Sequence, residues 1–276
     1  KREQLAGGYD FSLWVEKTAL EMADAIIAVS EGTKADILKL FQVPEERVHV
    51  IHNGIDLQEF QKVKSQEVLT RYGIPTGQPY VLFVGRITRQ KGIIYLINAL
   101  SYLDEEFPIV LCASSPDTPA MAAEMKEALD QASAHRQHIY WISDILDKPS
   151  LIELYSHAGV FCCPSIYEPF GIINLEAMAC EVPVVASAVG GIPEVVVEDE
   201  TGFLVPVEQF EEAPFSPKDP DRFAQDLADR INQLMRDPEL REPMGQAGRR
   251  RAEELFGWDK IAKRTKTLYE TVVESI

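Results

Sequence analysis

The sequence predicts an α/β domain built on a parallel β-sheet with helices on both faces. Three observations carry that expectation. From Val48 onward, short apolar runs alternate with longer amphipathic segments. None of the runs shows the strict period-two alternation of a sheet with one wet face. Most of the connections are too long for hairpins and fit right-handed crossovers.

Taken in order, residues 1 to about 45 read as a helix over 11–22, a strand over 25–29 and a helix over 31–41 with Ser30 as its N-cap. One strand and two helices do not close a core by themselves. Strands are then expected at 48–51, 80–84, 109–113, 139–142, 160–163, 184–188 and 202–205, with helices near 92–102, 120–134, 150–157 and 172–179. An acidic, proline-containing loop over 208–220 leads into an all-helical end. There Phe223, Leu227, Ile231 and Leu234 form one apolar stripe, and Trp258, Ile261, Thr265, Leu268 and Val272 form another. Pro243 and the Phe256-Gly257 pair predict helix boundaries between the two stripes.

Composition narrows the class of function. The 276 residues carry 27 Lys and Arg against 44 Asp and Glu, a net charge of −17, with 46% apolar and 26% charged residues, as in ordinary globular proteins. An excess of acid this large argues against nucleic acid as a partner. Apolar stretches such as 159–164 fall far short of the ~20 residues a membrane helix needs, so no membrane is expected either. Cys112, Cys162, Cys163 and Cys180 form no C-x-x-C pair and read as buried thiols of a reducing, cytoplasmic compartment. The chain opens on Lys1-Arg2-Glu3 rather than Met, which suggests a piece of a longer protein.

Two segments carry chemistry. The first runs from Ser165 through Glu168-Pro169-Phe170-Gly171-Ile172-Ile173-Asn174-Leu175-Glu176 to Ala179, between a buried strand and a helix. That is the carboxyl edge of a parallel sheet, where such folds bind ligands. The amides of Gly171, Ile172 and Ile173 open the helix without intrahelical acceptors, a setting that attracts phosphate. Glu176 lies one turn further along the same face, in reach of a ribose attached to that phosphate. Taken alone, Glu168 and Glu176 also fit an exposed turn and an ordinary helix.

The second segment, Val81 to Gly92, is a buried strand followed by Arg86, Arg89 and Lys91. Guanidinium and ammonium groups together suit a diphosphate, although an isolated basic loop is often merely solvated. No G-x-x-x-x-G-K-S/T or G-x-G-x-x-G occurs, which argues against a P-loop ATPase and a typical dehydrogenase. His49 with His52, and His135 with His138, are not placed to make metal sites. Asn53-Gly54-Ile55-Asp56 reads as a turn, and Gly190-Gly191 as a turn or as a point of close approach to a ligand.

These motifs resemble the retaining GT-B glycosyltransferases of the family 4 type. The resemblance rests on Val84-Gly85-Arg86 with Lys91-Gly92, on Glu168-x7-Glu176 within EPFGIINLEAMA, on PVVASAVGGIPEVV and on TGFLVP, and it runs nearly the whole chain. Within that family, the opening KREQLAGGYDFSLWVEKTALEMADAIIAVS, together with VHVIHNGID, LCASSPDTP and the loop after Pro206, is most similar to the bacterial ADP-glucose-dependent glycogen synthase branch, including enzymes that make maltose 1-phosphate.

The resemblance implies a Rossmann-like donor-binding domain over 46–256, a remnant of the N-terminal acceptor domain over 1–45 and a terminal crossover helix over 257–276. It implies that Arg86 and Lys91 bind the donor diphosphate and stabilise the departing nucleotide, and that Glu168 contacts the transferred sugar. Phe170, Gly171 and Ile172 supply the donor-facing loop and helix end, Glu176 holds the ribose, and the base lies against 143–146. The implied donor is ADP-glucose, with no cofactor and no metal. The acceptor is a glucan or a sugar phosphate, bound through the missing domain. Many glycogen and starch synthases carry Cys-Gly-Leu where this chain has Phe170-Gly171-Ile172, which leaves UDP- or GDP-sugars open as donors, and a non-catalytic sugar-nucleotide-binding module remains the alternative. In this reading the interdomain surfaces left uncovered favour self-association. A paired-carboxylate glycosidase is the rival chemistry for Glu168 and Glu176, but it leaves the basic loop without a purpose.

Overall fold

The computed structural model describes residues 9–275. The chain opens with helix α1 (Tyr9–Met22), strand β1 (Ile26–Ala28), helix α2 (Glu31–Leu40), strand β2 (Val48–Val50) and a short helix α3 (Glu67–Arg71). Next come β3 (Tyr80–Gly85), α4 (Ile93–Ala99), β4 (Ile109–Ala113), α5 (Pro119–Ser133), β5 (Ile139–Ile142), α6 (Lys148–His157) and β6 (Ala158–Cys163). The last strands and helices are α7 (Ile172–Ala179), β7 (Val184–Ser187), α8 (Ile192–Val195), β8 (Gly202–Val205), α9 (Pro220–Arg236), α10 (Pro238–Leu255) and α11 (Trp258–Ser275).

The main sheet has the order β5-β4-β3-β6-β7-β8, and every neighbouring pair is parallel. Successive residues of a strand feed opposite cores, as the pleat requires. Val81 and Phe83 pack with Leu96, Met121 and Leu227 of α4, α5 and α9, whereas Leu82 and Val84 pack with Tyr155, Leu175 and Met178 of α6 and α7. Cys162 and Cys163 face opposite cores for the same reason, and burial raises both thiol pKa values. With both faces dry, the strands are continuous apolar runs, which is why the sequence shows no period-two pattern.

β1 and β2 form a separate parallel pair with its own small core of Ile26, Ala28, Ile37 and Val48. Ser30 caps α2 as expected, accepting from the Thr33 amide at 2.9 Å. Its hydroxyl also donates to the Pro169 carbonyl at 2.5 Å, which ties this pair to the edge of the main sheet. α11 returns to the same region: Trp258 lies so close over Gly54 that a Cβ there would sit 2.6 Å from its ring, and Arg264 donates to the Val50 carbonyl.

One sequence expectation is corrected. Pro243 does not end a helix but lies inside α10. Asp237 caps that helix by accepting from the Leu240 amide, and Pro238 opens it, so Pro243 falls early in the helix. There it removes a single intrahelical bond to the Glu239 carbonyl, and Met244, Gly245, Gly248 and Ala252 bury the remaining turns. The boundary at Phe256-Gly257 stands as expected, between α10 and α11.

Candidate functional site

The sheet order puts β3 and β6 side by side, although β4 and β5 come between them in sequence. Chain winding reverses here, so the loops after β3 and β6 diverge around a crevice at the carboxyl ends of the strands. Both chemistry-bearing segments of the sequence are these two loops. They touch through the Ile166 amide, which donates to the Gln90 carbonyl at 2.9 Å. Gly92 makes the approach possible, because a Cβ there would fall 1.9 Å from the Pro164 carbonyl oxygen.

At this junction Lys91 Nζ lies 2.6 Å from Glu168 Oε2. The two side chains are only 18% and 9% exposed, so the pair is largely desolvated. Among the described residues, the one further side-chain bond to Glu168 comes from Ser165 Oγ at 3.4 Å. The loop backbone is fixed from below: the Gly191 amide donates to the Glu168 carbonyl at 2.9 Å, and Ser187 Oγ donates to the Ser165 carbonyl. Gly190 has φ +54°, and a Cβ on it would stand 2.0 Å from the Glu168 carbonyl oxygen. The glycine pair therefore serves close packing beneath the Glu168 loop.

Beyond Glu168, Gly171 takes a left-handed conformation (φ +95°) and starts α7, whose first residue, Ile172, is 40% exposed. The Gly171, Ile172 and Ile173 amides lack intrahelical acceptors and lie at the positive end of the helix dipole, whereas the Asn174 amide donates to the Gly171 carbonyl at 2.9 Å. Asn174 in the same turn is fully buried, and both of its side-chain polar atoms lack a partner among the described residues. One turn further on, Glu176 Oε2 accepts from the Tyr155 hydroxyl at 2.9 Å. Burial raises the Glu176 pKa above the usual carboxylate value, against the opposing effect of that hydrogen bond.

The other expected residues are distributed around this centre. Arg86 is exposed and lines a cleft of about 770 Å³ beside the crevice. Phe170 is buried, its ring stacked on His52 at 5.5 Å and set edge-on to Phe256 at 5.9 Å. In the 143–146 loop, Ile145 is 93% exposed and Asp144 accepts from the Tyr72 hydroxyl at 2.8 Å.

Several residues that sequence reasoning passed over join the site. His52 Nε2 lies 2.9 Å from Glu194 Oε2, and the Glu194 carboxylate also accepts from the Glu31 and Gly32 amides at the start of α2. One carboxylate thus joins the β1-β2 unit to the glycine turn beneath Glu168. Tyr155 and Asn174 likewise carried no local signal, because each depends on a neighbour that only the fold brings close. Among the described residues there is no cluster of three or more His, Cys, Asp or Glu that could hold a metal, and no helix is long and apolar enough to cross a membrane.

Comparison with known proteins fits this geometry. The "Glycosyl transferases group 1" family model matches residues 65–214, and the "Glycosyltransferase Family 4" model matches residues 3–59. The alpha-maltose-1-phosphate synthase of Mycolicibacterium smegmatis is 44% identical, with the match covering 99% of this chain and 69% of that protein. Sucrose-phosphate synthase from Thermosynechococcus elongatus superposes with a TM-score of 0.79 at 32% identity, over 97% of this chain and 63% of that one. The C-terminal domain of a group 1 glycosyl transferase from Francisella tularensis superposes with a TM-score of 0.60 at 27% identity, covering 74% of this chain and 99% of that domain. The chain thus spans about two thirds of the length of its longer relatives. A doubly wound sheet with a basic loop and a helix N-terminus at its switch point, matched by these models and relatives, makes this chain a member of the group 1, family 4 type glycosyltransferases with the GT-B fold.

Proposed function

We propose that the chain is the donor-binding part of a retaining glycosyltransferase that moves glucose from ADP-glucose to an α-glucan or to glucose 1-phosphate. The observation that carries the reading is the Lys91–Glu168 pair, held 2.6 Å apart in the crevice beside the open first turn of α7. A cation and a row of unpaired amides suit a diphosphate, and a carboxylate next to them suits the hydroxyls of the sugar it carries. The maltose-1-phosphate synthase relative and the sucrose-phosphate synthase likeness both bear names of phosphorylated products, which favours the sugar phosphate as acceptor.

In this proposal Arg86 and Lys91 bind the diphosphate, Glu168 orients the glucosyl group, Gly171 and Ile172 with the Phe170 backbone present amides to phosphate, and Glu176 accepts from the ribose. The acceptor hydroxyl oxygen bonds to the anomeric carbon on the face from which the diphosphate departs. The bond from that carbon to the phosphate oxygen breaks, and the acceptor's proton passes to the leaving phosphate. The protein then needs no nucleophile of its own, and its contribution is positioning and stabilisation of charge on the leaving group. Residues 1–45 serve as the end of an acceptor domain, 46–256 as the donor domain and 257–276 as the helix that crosses back. Alone, the chain binds nucleotide weakly and transfers glucose poorly.

Calorimetric titration with ADP, UDP, GDP, ADP-glucose and UDP-glucose at one ionic strength tests the reading. Selective binding of the ADP pair supports it. Selective binding of UDP or GDP replaces the donor, and robust transfer by the chain alone removes the claim that the acceptor domain is required.

A further inference from the structure

Tyr80 and Tyr155 are both fully buried in the same core, yet their hydroxyls have partners of different kinds. The Tyr80 hydroxyl donates to the Leu154 carbonyl at 2.6 Å, and a backbone acceptor is the usual partner for a hydroxyl in a dry core. The Tyr155 hydroxyl instead donates to a side chain, reaching from α6 to Glu176 Oε2 on α7 at 2.9 Å.

The donor end of this bond is rigid. The Tyr155 ring is set edge-on to Phe161 at 5.5 Å and shares its core with Leu175 and Met178 of α7. Burial first, and then the Glu176 charge, raises the Tyr155 pKa well above its usual value, so the hydroxyl keeps its proton and remains the donor. The acceptor end is only half used. Glu176 is partly exposed, and its Oε1 has no hydrogen bond among the described residues and is not shielded from solvent. The cations that act on Glu176 are committed elsewhere, Lys148 to Glu59 at 2.9 Å and Lys91 to Glu168 at 2.6 Å. Among the described residues, Tyr155 is therefore the one side chain that fixes this carboxylate by a hydrogen bond. A free Glu side chain samples many rotamers, and one already held in place loses less freedom when a ligand arrives.

We propose that Tyr155 is a positioning residue for donor recognition: its hydroxyl pins Oε2 of Glu176 and leaves Oε1 as a fixed acceptor for the vicinal hydroxyls of a ribose. The site then selects a ribonucleoside diphosphate over its deoxy counterpart, because a ligand without those hydroxyls leaves a desolvated carboxylate oxygen unpaired. The inference rests on the assignment of Glu176 to the ribose in the reading above, and it adds the residue that makes that contact selective. Helix α6 thereby serves the nucleotide site without touching the nucleotide.

The test is calorimetric titration of the parent chain, Y155F, E176A and the double variant with ADP and with 2′,3′-dideoxy-ADP, with thermal melts to confirm folding. The parent is expected to prefer ADP by about tenfold or more. Y155F keeps the ring and loses only the hydroxyl. Its ADP affinity should fall by about threefold or more while dideoxy-ADP binds as it does to the parent, so the preference shrinks. In E176A the preference should vanish, and adding Y155F to E176A should change nothing further. A role confined to packing weakens both nucleotides alike, and an unmoved ratio in Y155F overturns the proposal. So does a crystal structure of the parent with ADP in which the ribose takes Oε2 and the Tyr155 hydroxyl is displaced, a readout that needs no variant to fold. A parent that binds ADP and dideoxy-ADP equally, or binds neither, overturns the ribose assignment and this inference with it. A parent that discriminates between them, with Y155F discriminating equally well, removes this inference alone.

Discussion

Replacing Glu168 by Gln is expected to tighten ADP binding, whereas replacing Lys91 by Ala is expected to weaken it. The opposite signs follow from the geometry. At 2.6 Å the gross attraction between Lys91 and Glu168 is about 6 kcal/mol for an effective dielectric of about 20. Desolvation of two nearly buried groups cancels much of this and leaves about 1.5–3 kcal/mol for a charge-assisted bond. A diphosphate that recruits Lys91 must therefore displace Glu168, exchanging one such bond for another. In E168Q the competitor is neutral and Lys91 is released, so ADP should bind about tenfold more tightly. In K91A the phosphate loses its cation, and affinity should fall by roughly ten- to a hundredfold. K91A also strands the Glu168 carboxylate and should lower stability by about 3 kcal/mol, more than E168Q does, because Lys91 is the more exposed partner and can turn to water. ADP-glucose should gain less than ADP in E168Q, since the glucosyl hydroxyls exchange a charged carboxylate acceptor for a weaker neutral amide. Calorimetry with ADP and ADP-glucose on the three proteins, with thermal melts as the folding control, reads all of these quantities. E168Q binding ADP as weakly as K91A does, or neither substitution changing affinity, would refute the reasoning.

Three further outcomes are expected. Gly190→Ala forces a Cβ to within 2.0 Å of the Glu168 carbonyl at a left-handed position and should cost about 2–5 kcal/mol, read as a lower denaturation midpoint; a midpoint equal to that of the parent chain contradicts the packing assigned to the glycine pair. The folded-state pKa of Glu176 is raised by burial, so the folded protein holds more protons here than the unfolded chain. Stability from this group is present below the unfolded carboxylate pKa of about 4.3 and is lost as pH rises through the folded value. Glu176→Gln should flatten that part of the pH–stability curve and leave the chain more stable near pH 7, and an unaltered curve rejects the assignment. Phe11 and Trp14 of α1 are 69% and 61% exposed, and replacing both by Ser should reduce concentration-dependent self-association in light scattering, whereas an already monomeric parent chain contradicts that expectation.

Much of the fold was legible because burial on two faces leaves a direct trace in sequence. Runs such as Val81-Leu82-Phe83-Val84 and Val160-Phe161-Cys162-Cys163 are apolar at every position since each residue meets one core or the other. Proline was misleading at Pro243, where an early helical position loses one bond and the buried face of α10 outweighs it. The two loops of the site were also legible, by residue type and by their place after buried strands. Their pairing was not. Lys91 and Glu168 are separated by 77 residues and His52 and Glu194 by 142, and no local pattern encodes a contact made by sheet order. The inward turn of Phe170 is of the same kind, since it depends on His52 and Phe256 arriving from opposite ends of the chain.

A crystal structure of the chain with ADP is the most direct test of the donor site. The diphosphate is expected within hydrogen-bond distance of Lys91 Nζ and the Gly171 and Ile172 amides, with the ribose on Glu176 and Lys91 drawn away from Glu168. A nucleotide bound away from the β3–β6 crevice, or seated there with its base rather than its phosphates at the start of α7, would contradict it.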